Sequence, residues 1–246
     1  MQQLTTPGGP AASLDQPVRS RAAPPSSSAR VAAYLSLAAT GFFLVLLAAL
    51  HVLKPELDPA WRMVSEYALG RYGWLMQLAF FSMALSSASA CIAVWSQVRA
   101  RAGRLGLVLL LVAAAALLLG GVFVIDPVTA RPEALTLHGQ LHGLAAMMGN
   151  PAFAVAALLV SVGLARNPAW ASARRALLWT AQLPWLSLVW MLATLAITLG
   201  QSGGVFGPEV VIGWPNRVLV VAYGVWLATV AWHALRLSQP TAQAVQ

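Results

Sequence analysis

Residues 104–125 read RLGLVLLLVAAAALLLGGVFVI, so that 21 consecutive residues after Arg104 carry no charged or polar side chain. A helix rising ~1.5 Å per residue covers the ~30 Å hydrocarbon core of a bilayer in about 20 residues. The run is bounded by Arg104 on one side and Asp126-Pro127 on the other, as a membrane-crossing segment would be. Working outward, comparable apolar runs occupy about residues 31–53, 73–96, 138–164, 175–200 and 214–236. The whole chain agrees: of 246 residues 59% are hydrophobic and 9% charged, against about 25% charged in an ordinary soluble domain. The composition excludes a soluble globular protein. The fold expected is all-α, a bundle of six transmembrane helices over residues 31–236. Residues 1–30 are rich in Pro, Ser, Ala and Gly and lack an apolar run fit for a signal-peptide core, so an uncleaved, disordered tail is expected there, with a second short tail at 237–246.

The formal net charge of +8 is a topology signal rather than a nucleic-acid footprint, because the bases sit in short loops between spans instead of on one soluble face. With the N-terminus cytoplasmic, the inner segments hold ten bases and one acid, and the outer segments five bases and six acids. This bias predicts both termini inside. Trp61, Trp74 and Trp214 then fall near the outer interface and Trp95, Trp170 and Trp179 near the inner one, as aromatic belts do. Cys91 is the only cysteine, which excludes an intrachain disulfide or a cysteine-based zinc site.

Small residues spaced by four, Ser82, Ser86 and Ala90 in the second span and Gly139 and Gly143 in the fourth, predict close helix approach. Pro151 and Pro184 each remove a backbone hydrogen bond and predict kinks in the fourth and fifth spans. Asn150 and Gln182 fall at comparable depth beside these prolines, which suits an interhelical amide bond or a polar transport pathway.

Three of the four histidines and one acid gather at the outer ends of spans. His51 ends the first, Asp126 ends the third, and His138 and His142 open the fourth. Residues four apart on a helix share a face about 6 Å apart along the axis, a spacing that can chelate one metal ion. His51, His138 and His142 are therefore candidate zinc ligands, with Asp126 a candidate general base acting on a metal-bound water. Glu66 is a weaker candidate ligand, and alternatively pairs with Arg62. Ser65 either contacts the site or caps the turn into the second span. Such a site would suit hydrolysis of a lipid or other acyl substrate at the interface. The bland alternative is that these groups cap helix ends and bond loop backbone. His233, at the inner end of the sixth span, reads as an interface anchor.

The order His51, Pro59, Ser65-Glu66-Tyr67-Ala68-Leu69-Gly70 and Gly73-Trp74, followed by an acid ending the third span and a histidine opening the fourth, resembles the bacterial domain-of-unknown-function family 998 over about residues 35–236. That resemblance implies a six-helix integral protein of the bacterial cytoplasmic membrane and leaves its activity open. The set His51, His138, His142, Asp126 and Ser65 also resembles the zinc site of the alkaline ceramidase and adiponectin-receptor superfamily. That superfamily has seven spans, and its paired histidines lie in the last one. Three functional classes follow: a metal-dependent membrane hydrolase, a small-molecule transporter or permease, and a non-catalytic partner in a membrane assembly. The partners expected are the lipid bilayer and a lipid substrate, with no nucleic acid.

Overall fold

The computed structural model describes residues 27–238. Of the expected tails, 1–30 and 237–246, residues 1–26 and 239–246 lie outside the described residues, while 27–30 belong to α1 and Leu237 ends α7. The helices are α1 (Ser27–Leu53), α2 (Gly73–Val94), α3 (Arg101–Val122), α4 (Leu137–Ala165), α5 (Arg174–Thr180), α6 (Gln182–Gln201) and α7 (Gly213–Leu237), and the described residues contain no strand. Six stretches are long and apolar enough to cross a membrane, α5 and α6 together supplying the fifth. The protein is a multi-pass α-helical membrane protein.

Two boundaries moved from expectation for identifiable reasons. α1 starts at Ser27, four residues before the expected 31, so Arg30 belongs to the helix rather than the tail. α3 ends at Val122 rather than 125, because Phe123 turns to an extended conformation and its carbonyl leaves the helix to accept a hydrogen bond from α4. The fifth span breaks at Ala181, where α5 hands over to α6. Pro184 has no N–H to offer the Thr180 carbonyl one turn earlier, which accounts for the break. α4 runs unbroken through Pro151.

The helices pack in the ring order α1–α2–α3–α4–α6–α7, with α2 and α7 also touching across the centre. The predicted small-residue face of α2 is real: Ser82, Ser86 and Ala90 are all buried. The Ser86 hydroxyl donates to the Ser36 carbonyl (3.0 Å) and accepts from Thr40 (2.7 Å), locking α1 to α2. The tightest contact is between α3 and α4, where backbones meet: a Cβ added to Gly103 would lie 3.2 Å from the Gly163 Cα, and one on Gly106 only 2.9 Å from the Val160 nitrogen. The expected Gly139–Gly143 face does not join helices in this way. A Cβ on Gly139 would strike the Asp126 carboxylate, while one on Gly143 meets open space.

Candidate functional site

The end of the bundle that carries His51 is roofed by the α1–α2 loop, and the roof is organised by a buried cation. Arg217, one turn into α7 and only 4% exposed, aims its guanidinium under the loop. Its Nε donates to His51 Nε2 (2.8 Å), Nη1 to the carbonyls of Arg62 (2.7 Å), Gly213 (3.1 Å) and Pro59 (3.3 Å), and Nη2 to the Tyr67 hydroxyl (3.0 Å). Five acceptors around one guanidinium is how a buried arginine is tolerated without a carboxylate partner. The arginine fixes the histidine's tautomer: Nε2 accepts, so Nδ1 carries the hydrogen and donates to the Leu47 carbonyl (2.7 Å). The Tyr67 ring stands 5.1 Å from the His51 ring. Gly213 must be glycine here, since a Cβ would sit 2.3 Å from the Pro59 carbonyl oxygen, and its N–H donates to Ala60.

Glu66 holds the next part of the roof. It is fully buried, with Oε2 accepting from the Met63 N–H (3.0 Å) and Oε1 accepting from the Val128 N–H (3.1 Å) and facing the Arg62 guanidinium at 3.2 Å. It thereby ties the first loop to the α3–α4 loop. Asn216 accepts from the Val64 N–H (2.8 Å), tying the same loop to α7. The Lys54 ammonium, also buried, donates to the carbonyls of Tyr67 and Leu69. Burial pulls its pKa below the ordinary lysine value, with Glu56 opposing, Arg62 reinforcing and Glu66 opposing.

Asp126 has a mechanical role. Its Oδ2 accepts from the Thr136 N–H (2.8 Å) and its Oδ1 from the Thr136 hydroxyl (2.9 Å), whose oxygen in turn accepts from the Gly139 N–H (3.1 Å). The pair caps the N-terminus of α4, satisfying donors that the first helical turn leaves without partners. His138 is exposed, with its ring edge-on to Phe123 at 5.4 Å. His142, by contrast, is only 4% exposed, and its Nδ1 donates to the carbonyls of Phe123 (2.8 Å) and Gly120 (3.1 Å), closing the C-terminus of α3.

The residues expected to share a zinc ion are thus not brought together. His51 has both ring nitrogens in hydrogen bonds, Asp126 caps a helix, Glu66 binds loop backbone, and His138 lies outside the bundle. Among the described residues no three His, Cys, Asp or Glu side chains are placed to share one metal ion. Asn150 and Gln182 do not pair either. The Tyr223 hydroxyl donates to Asn150 Oδ1 (3.1 Å), and the Gln182 amide donates to the Leu178 carbonyl (3.2 Å).

The geometry brings forward a feature that sequence reading missed, a cavity of about 520 Å³ beneath the roof. Met63, Val64 and Ser65 form its ceiling. Phe43, Met76, Phe80, Met83, Ala113 and Leu117 form one wall, and α4, α6 and α7 the other. Its floor is an aromatic stack, Phe153 lying on Tyr223 at 3.9 Å and edge-on to Trp226 at 5.6 Å. Trp226 is pinned to Ser161 (2.9 Å), so the floor joins α4 to α7 across the centre. On the α4–α6 side, Ala146, Met147 and Leu192 line the cavity and are also exposed on the bundle surface. The cavity therefore opens sideways there. No motif announces a space shared by six helices, and the only sequence signals were His142 and Asn150 inside an apolar run.

The motif that packs this roof, Ser65 to Gly70 with Gly73-Trp74, lies within a stretch, residues 37–233, that matches the family model described as protein of unknown function, DUF998. The chain belongs to the DUF998 family. No curated protein and no solved structure matches it. The family match spans α2 to α6 whole, α1 from residue 37 onward and most of α7, so the roof, the Arg217 centre and the cavity all fall inside the DUF998 region.

Proposed function

We propose that this DUF998 protein holds a lipid-like molecule inside its helix bundle and admits it sideways from the bilayer, between α4 and α6. The observation that carries the reading is the cavity: about 520 Å³, within the range of small-molecule sites, walled by Phe, Met, Leu and Ala side chains, and bordered by residues that are exposed where lipid would lie. A site walled in this way favours an apolar guest. The roof above and the aromatic floor below leave the side seam as the route of entry.

Metal-assisted hydrolysis has less support, because His51, Asp126 and Glu66 are engaged in holding the roof and the α4 terminus. A path through the bundle also has less support, because the Phe153–Tyr223–Trp226 stack closes the cavity towards the far side. The ten-to-five division of basic residues supports both termini inside, the cavity then lying in the outer half of the bilayer.

Gly143 offers a clean test. A Cβ there meets nothing within 4 Å, so Gly143→Phe has room to start a ring into the seam. Detergent-purified protein should carry a co-purifying lipid, identified by mass spectrometry after solvent extraction, and the variant should carry at least tenfold less at equal stability. Equal lipid in both would contradict the reading.

A further inference from the structure

Three polar groups on the cavity wall have no partner among the described residues: His142 Nε2, the Ser65 hydroxyl and the Asn150 amide nitrogen. His142 matters most. It is 96% buried by its 4% exposure, and its Nδ1 is committed as donor to two carbonyls, so the remaining ring nitrogen is a lone-pair acceptor set in an apolar cavity. Phe80 packs edge-on against the ring at 5.5 Å and holds its orientation. Ser65 lies in the ceiling near the same end, whereas Asn150 is eight residues further along α4, about 12 Å deeper. The cavity is thus polar at its roofed end and apolar along most of its depth.

The walls narrow the guest: a cavity of about 520 Å³ lined by Phe, Met, Leu and Ala side chains suits an alkyl chain. No cationic side chain lines the cavity, so a phosphate head would be desolvated without a counter-charge.

Resting on the reading above, we infer that the ligand is an amphiphile with an uncharged head that is an O–H donor, an alcohol or a protonated carboxylic acid. That head donates to His142 Nε2 and accepts from Ser65, with the chain directed towards Asn150 and the aromatic floor.

The test is a competition on the full-length protein read by native mass spectrometry, with 1-hexadecanol, its methyl ether, palmitic acid and a phosphatidylglycerol as probes. The wild type should retain the alcohol about tenfold over the ether, the scale of one well-placed hydrogen bond, and should not retain the phospholipid. Retention of palmitic acid that rises as pH falls would place the protonated acid in the same class. In His142→Leu the alcohol's advantage should vanish, and in His142→Gln, whose amide oxygen accepts, part of it should return. Should the histidine variants fail to fold, the wild-type alcohol-to-ether ratio decides alone. Equal retention of alcohol and ether, or preferential retention of the phospholipid, would overturn this inference and leave the cavity reading standing. Retention of none of the four would overturn both.

Discussion

Helix α4 presents two unlike faces. Towards α3 it meets backbone with backbone, through Gly103, Gly106 and Gly163, and no side chain fits between them. Towards α6 it offers Gly143, Ala146 and Met147, which border an open cavity and are partly or largely exposed. In lipid, where no hydrophobic force drives helices together, a seam is as firm as its van der Waals and hydrogen-bond contacts make it. The same helix can therefore serve as a fixed wall on one side and a doorway on the other. The span across the doorway is the least embedded in the bundle: 22% of the apolar stretch of the fifth span is buried, against 61% of that of α2. Small residues have opposite meanings on the two faces, close contact on one and vacancy on the other.

The largest effect is expected where the fixed side is roofed. Arg217→Leu removes the donor from five acceptors at once. At about 1–3 kcal/mol for each buried acceptor left unpaired, it should cost several kcal/mol in detergent unfolding followed by tryptophan fluorescence. A loss below about 1 kcal/mol would mean that the roof does not depend on this centre. Next in size is Gly106→Leu, which forces a side chain against Leu159 and the Val160 backbone and should cost about 1–3 kcal/mol or more. Glu66→Gln keeps the shape but loses the ion pair with Arg62 and weakens the bond from Val128, for an expected loss of about 1–2 kcal/mol by the same assay. Gly143→Phe, on the doorway side, should change stability by less than about 0.5 kcal/mol while emptying the cavity. Comparable destabilisation by Gly106→Leu and Gly143→Phe would erase the distinction between the two faces.

The sequence carried the architecture well because each span is a long apolar run whose meaning does not depend on its neighbours. Six spans, the family and the α2 small-residue face were all legible from residues alone. What escaped was the identity of partners. Arg217 reads as one more base in a loop count, and only its place inside the apolar helix, after Gly213-Trp214-Pro215-Asn216, hinted that it was buried and in need of acceptors. His51 and His142 look equivalent in a list of ligands. In space one lies under the guanidinium and the other in the cavity wall, because α1 neighbours α7 while α4 neighbours α3. The spacing of His138 and His142 is as expected for one helix, yet one ring is outside and the other within. The cavity was illegible because it belongs to no segment.

The most direct measurement is photo-crosslinking of the membrane-embedded protein with a long-chain alcohol bearing a diazirine on its chain, the labelled residues being identified by peptide mass spectrometry. The account predicts labels on cavity residues such as Met83, Met147 and Leu192, suppressed by excess unlabelled alcohol and lost in Gly143→Phe. Labels spread over the outward faces of α1 and α5, unaffected by competitor or by the variant, would contradict it.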